Sequence, residues 1–327
     1  MLSLNLSKDF IHIGAEIGVL LLLFMLGLEY SGDQLKHNLR RGLRGGLIDF
    51  LLNFPPGFIA GLLLGWRPLP CLLLGGVTFI SSSGIVARVL SELRRMECAE
   101  TPTVLSILVI EDLIMAIYLP LVAVMIGGGG TTRIAVSVAV AVVAVLGALF
   151  AAVRYGAQMS RLLSHQSDEI ILLSTFGTVL LVAGIAQHLQ VSAAIGAFLV
   201  GIAVSGPIVE RSHRLLAPLR DLFAATFFFF FGLEIDPRSL PPVLLVAGVL
   251  AFVTTGSKVL TGYWSTRGLA LNGQARLRAG LTLVAHGEFS IVIAGLGVGL
   301  EPRLGPVSAA YVLLMAMAGP VAARLVH

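Results

Sequence analysis

Apolar runs long enough to cross a bilayer follow one another through the whole chain. A spanning helix needs about 20 mostly apolar residues. On that rule eleven segments stand out, at about 11–30, 46–66, 70–92, 103–127, 133–155, 168–188, 191–207, 217–234, 241–264, 277–299 and 306–325. Only 12% of the residues are charged, against about 25% in a soluble domain. In lipid, a backbone must satisfy its own N–H and C=O groups, and apolar helices do so. The chain therefore reads as an all-α polytopic membrane protein.

The basic residues give an orientation. Of the 22 Lys and Arg, 15 lie in or beside the loops after the odd-numbered spans, and 5 in the N-terminal tail and the remaining loops. By the positive-inside rule the odd-numbered loops are cytoplasmic. This predicts an inner (plasma) membrane protein with its N-terminus outside, its C-terminus inside and Cys98 on the cytoplasmic side. The net charge of +4 is spread over these loops and does not point to nucleic acid. Cys71 and Cys98 lack metal-ligand spacing and read as free thiols.

Within the fourth span two acids stand side by side, Glu111 and Asp112, flanked by apolar residues for two turns or more. A charge at the bilayer centre costs about 2.5–3.5 kcal/mol on insertion scales, so acids placed there mark an ion or proton path by default.

The spans also repeat. Gly27-Leu28-Glu29 ends the first and Gly232-Leu233-Glu234 the eighth, 205 residues on; Ile85-Val86 of the third recurs as Ile291-Val292 of the tenth, 206 residues on. Spans seven apart cross the membrane in opposite directions, so this is an inverted-topology repeat, with its site expected between the halves near the midplane. The third and tenth spans carry matching interruptions, Thr78-Phe79-Ile80-Ser81-Ser82-Ser83-Gly84 and Ala285-His286-Gly287-Glu288-Phe289-Ser290. Ser and Gly weaken a helix, and interrupted spans at matching positions point to a transport site. Two broken, crossing helices are therefore expected. Close packing through small residues is the competing explanation.

Taken together, these features resemble the monovalent cation:proton antiporters of the sodium/hydrogen exchanger superfamily, nearest its bacterial potassium-efflux and sodium/proton branch. The resemblance runs over essentially the whole chain. It is carried by Glu111-Asp112, the Gly-Leu-Glu span ends, Ser192–Pro207, Pro218–Phe223 and the Gly287-Glu288-Phe289 break. It implies exchange of Na+ or K+ for protons by alternating access, without a cofactor and without enzymatic chemistry. Asp112 would be the carboxylate that ion and proton share, and Glu111 its neighbour. Lys258 stands where two-acid relatives carry a lysine, and would pair with Glu111. Release of that pair on cation binding would let Lys258 give up a second proton; as an alternative, Lys258 snorkels to the interface. Thr78, Ser81, Ser82, Ser83, Gly287 and Glu288 would supply ligands or support at the breaks.

The resemblance also implies an ion-binding core at about 44–127 and 241–327, a scaffold at about 10–30 and 168–235 that makes a homodimer in membrane lipid, and a linker helix at about 133–155. Relatives usually have thirteen spans, and this chain begins where their third would start. A regulatory partner would be a separate subunit. A gated K+ efflux pore, or an inactive truncated fragment, are the other functions such a chain could have. His286 reads as a pH sensor or a structural group. Asp49 and Asn53, one turn apart, line the cytoplasmic mouth or sit near the interface. Glu29 and Glu234 fall at span ends.

Overall fold

The computed structural model describes residues 20–25, 32–127, 165–188, 193–204, 208–234, 240–297 and 299–326, with isolated positions elsewhere. The expected linker helix at 133–155 and Glu29 lie outside these. The described residues are helical, with no β-strand among them. The helices are α1 (Gly32–Leu63), α2 (Pro68–Phe79), α3 (Ser83–Glu92), α4 (Thr101–Ile126), α5 (Asp168–His188), α6 (Ala193–Ala203), α7 (Ile208–Glu234), α8 (Leu244–Ser265), α9 (Gly273–Thr282), α10 (Glu288–Leu296) and α11 (Leu304–Arg324). Among the described residues six stretches are long and apolar enough to cross a membrane, one of them the α2–α3 pair taken together.

Both interrupted spans are broken where the sequence places the breaks. The third divides into α2 and α3 around Ile80, Ser81 and Ser82; the tenth divides into α9 and α10 around residues 283–287. Local chemistry fixes the ends. Pro68 opens α2, where a missing N–H costs nothing. Ser82 caps α3 by accepting from the Ile85 N–H, and Asn272 caps α9 by accepting from the Ala275 N–H at 2.8 Å.

Two helices start earlier than their apolar runs. α1 begins at Gly32 rather than near residue 46, and α7 at Ile208 rather than near 217. The charged stretches in front, such as Gln34-Leu35-Lys36 and Glu210-Arg211, are good helix formers, and no proline interrupts them. Hydropathy marks only the part of a helix that suits lipid.

The chain forms two compact units, residues 1–36 with 116–231, and residues 37–115 with 232–327. In the first, α5 packs on α6, and Phe24, Met25, Ile171, Val179, Val200 and Leu216 are among the residues that close a core. In the second, α2 packs on α10, α3 packs on α9, and α8 packs on both α9 and α11. The first half of one broken span thus lies beside the second half of the other. That pairing requires the two to run in opposite directions, as an inverted repeat demands. α1 approaches α4 closely, since a Cβ on Gly46 would stand 2.2 Å from Ile110. Asp49 follows Gly46 by about one turn on α1, and Glu111 comes directly after Ile110 on α4.

Candidate functional site

A helix end leaves its last carbonyls without intrahelical partners, and inside a membrane an orphan of this kind costs several kcal/mol. In the second unit each break supplies partners for the other. At the end of α2, Val77 O accepts from the Ser290 hydroxyl at 3.0 Å, Thr78 O faces His286 Nε2 at 3.2 Å, and Phe79 O accepts from Lys258 Nζ at 2.9 Å. Beyond α9, Leu283 O accepts from the Ser81 hydroxyl at 2.9 Å, and Ala285 O accepts from the Ser82 N–H at 2.7 Å. His286 Nδ1 lies 2.8 Å from Val284 O. Gly287 leaves room for this crossing: a Cβ there would sit 2.6 Å from the Ser82 hydroxyl oxygen.

Charge follows the half-helix dipoles. The ammonium of Lys258 sits at the carbonyl end of α2, and the Glu111 carboxylate sits at the start of α3, where a cation and an anion respectively are favoured. Glu111 accepts from the Ser81 N–H at 2.6 Å, and its other oxygen lies 3.0 Å from the Ser81 hydroxyl. That hydroxyl has one proton and two acceptors in reach, Glu111 and Leu283 O. Lys258 Nζ is 2.9 Å from Glu111. With 0% exposure of its side chain, it does not snorkel.

Asp49 completes the cluster. Its two oxygens lie 2.9 and 3.1 Å from Lys258 Nζ, and it is fully buried. The Asn53 amide donates to Asp49 at 2.8 Å and reaches Thr261 at 3.1 Å, while the Ser257 hydroxyl donates to Asn53 at 2.6 Å. Neither role weighed for Asp49 and Asn53 in the sequence, the mouth or the interface, describes them. The signal was present as a polar stripe on α8: Thr254, Ser257, Lys258 and Thr261 follow i, i+3, i+4, i+7 spacing and mark one buried polar face. Advanced by the repeat offset of 205, Asp49 and Asn53 fall on Thr254 and Lys258 of that stripe.

Asp112 is buried at 2% exposure on α4. Adjacent helical residues point about 100° apart, so Asp112 does not share the direction in which Glu111 meets Lys258. The Thr78 hydroxyl donates to Asn53 O at 2.9 Å and is also near Gly75 O. Ser83 opens α3, half-buried. Glu288 opens α10, and its side chain lies outside the described residues.

His286 is fully buried against Tyr311, their rings 5.1 Å apart and near perpendicular. A carbonyl can only accept, so Nδ1 beside Val284 O carries a proton. Nε2 has Thr78 O on one side and the Tyr311 hydroxyl at 3.1 Å on the other. The Tyr311 hydroxyl donates its proton to Thr254 at 3.0 Å. This buried network ties the crossing to α8 through Thr254 and to α11 through Tyr311.

Known proteins resemble this chain in sequence and in fold. The sequence model of the transmembrane sodium/hydrogen exchanger family matches residues 2–326. The K(+)/H(+) antiporter subunit KhtU of Bacillus subtilis is 37% identical over 97% of this chain and 80% of its own length. The ammonium/H(+) antiporter subunit AmhT of Alkalihalophilus pseudofirmus is 34% identical over 96% of this chain and 80% of its own. The sodium proton antiporter MjNhaP1 of Methanocaldococcus jannaschii has a similar fold, with a TM-score of 0.68 at 13% identity over 97% of this chain and 87% of that one.

Proposed function

As the chain belongs to the sodium/hydrogen exchanger family, we propose that it exchanges Na+ or K+ for protons by alternating access, with Asp112 as the carboxylate that the two share. Cation/proton antiport in a multi-pass membrane protein is the activity of this family. Its members are transporters rather than enzymes; the ions are substrates, and no cofactor takes part. Among relatives, the printed names give K+, ammonium and Na+ as the cation.

The observation that carries the reading is a pair of adjacent buried acids at the crossing of two broken helices, with a buried lysine on one of them. One carboxylate in a site closed to bulk water holds a proton or a cation, not both, because protonation removes the negative charge that binds the cation. Alkali cations are hard and take oxygen ligands, as calcium and magnesium do. Asp112 offers such oxygens, and Glu111 does so when it leaves Lys258. Thr78, Ser81, Ser82, Ser83, Gly287 and Glu288 support the breaks that surround these acids.

The second unit is read as the ion-binding core, and the first as the scaffold through which two copies pair in membrane lipid. The word "subunit" in the names of two relatives favours a separate regulatory chain here as well. The function is tested by loading vesicles with an acidic lumen and adding one salt at a time. NaCl or KCl is expected to dissipate the pH gradient, and choline chloride is not. Dissipation by every salt alike, or by none, sinks antiport.

The orientation in the inner membrane, N-terminus outside and C-terminus inside, has its own check. Cys98 is partly exposed, in the turn between α3 and α4, and is read as cytoplasmic. An impermeant thiol reagent is expected to leave it unlabelled in intact cells and to label it in inverted vesicles. The opposite pattern reverses the topology.

A further inference from the structure

The three protons of the Lys258 ammonium have three destinations: Asp49, Phe79 O and Glu111. Two of these stay in place whatever Glu111 does. Phe79 O is backbone at the end of α2. Asp49 is held by Asn53, which is held in turn by Ser257. We propose that Asp49 is the standing counter-ion of Lys258, which keeps the lysine protonated while Glu111 exchanges partners, and thereby fixes transport at one proton per monovalent cation.

The charges decide the stoichiometry. This rests on the reading that Asp112 is the shared carboxylate. With a proton on Asp112, the cluster holds Glu111 and Asp49 as anions and Lys258 as a cation, a net charge of minus one. With the cation bound, Asp112, Glu111 and Asp49 are anions, and Lys258 and the transported ion are cations, again minus one. Exactly one proton has been traded, and no charge crosses the membrane per cycle. A lysine paired with Glu111 alone behaves otherwise. When the cation draws Glu111 away, its ammonium is buried without a carboxylate, which favours loss of its proton. Here such a loss would leave Asp49 as a buried anion beside a neutral amine, the arrangement that burial most disfavours. Asp49 is a positioning residue for this exchange, acting through Lys258.

The protein reconstituted in a planar lipid bilayer tests this with Na+ and K+ as the probes. Wild type is expected to give no sustained current. Net proton flux is expected to vanish when the cation and proton concentration ratios across the membrane are matched. Asp49→Asn is expected to carry sustained current and to move its balance point toward two protons per cation, a change that a merely structural residue would not produce. Sustained wild-type current overturns the proposal, and so does an active Asp49→Asn whose balance point is that of wild type. The wild-type measurement decides alone if the variant fails to fold or to transport. A wild type that exchanges neither cation for protons sinks the antiport reading itself, whereas active exchange with sustained current sinks only the role of Asp49.

Discussion

Asp112→Asn is expected to reduce cation/proton exchange to the background of empty liposomes, while the protein still inserts and melts near wild type. The amide is close to the carboxylate in shape, so packing around a side chain that is 2% exposed changes little. What it lacks is an exchangeable proton and a negative charge. A site that cannot be emptied of one substrate to receive the other does not cycle. Glu111→Gln is the informative comparison. Glu111 meets Lys258, the Ser81 N–H and the Ser81 hydroxyl, and an amide oxygen can keep the bond from the Ser81 N–H. Its loss is expected to weaken the apparent affinity for the cation and to leave measurable exchange. Dequenching of a lumenal pH dye, run over a range of salt concentrations, separates the two. Near-normal exchange by Asp112→Asn removes that residue from the centre of the mechanism. Loss in Glu111→Gln with retention in Asp112→Asn exchanges their roles.

Much of this site was legible in the sequence because membranes tolerate so few exceptions. Glu111 and Asp112 stood out against an apolar run, and Ser81–Gly84 and His286–Glu288 stood out as breaks at matching places. Lys258 stood out as a charge within a span, with snorkelling left as its alternative until the structure showed it buried. Asp49 was harder to place. It lies near one end of an apolar segment, where an acid is ordinarily solvated, and the extra helical turns of α1 before residue 46 were hidden because charged residues carry no hydropathy signal. Those turns put Asp49 in the interior of α1 rather than near its start. The lacing of the breaks was not legible in any one residue. Ser81, Ser82, His286 and Ser290 each look like a helix breaker or a packing residue alone. Their function as partners for Leu283 O, Ala285 O, Thr78 O and Val77 O exists only once two antiparallel segments cross.

The same cluster sets the largest expected effect on stability. Lys258→Met is expected to destabilise the protein by about 3–5 kcal/mol, the range found when one member of a buried ion pair is removed. Methionine fills much of the space of the lysine stem but leaves Asp49 and Glu111 facing each other, both with fully buried side chains. It also strips Phe79 O, a carbonyl at a helix end, of its donor. Two unpaired anions and one orphan acceptor exceed what packing of the thioether can offset. The origin of the effect is separable from loss of volume. Adding Asp49→Asn and Glu111→Gln to Lys258→Met removes both stranded charges and changes the apolar volume hardly at all, so the triple variant is expected to recover most of the lost stability. Thermal unfolding of the purified single and triple variants in detergent is the measurement. A Lys258→Met protein that melts with wild type, or a triple variant that stays as unstable as the single one, means that the lysine does not balance these two carboxylates. The cluster would then owe its order to the helix ends and the hydrogen bonds of Ser81 and Asn53, and Lys258 could be replaced without consequence for the fold.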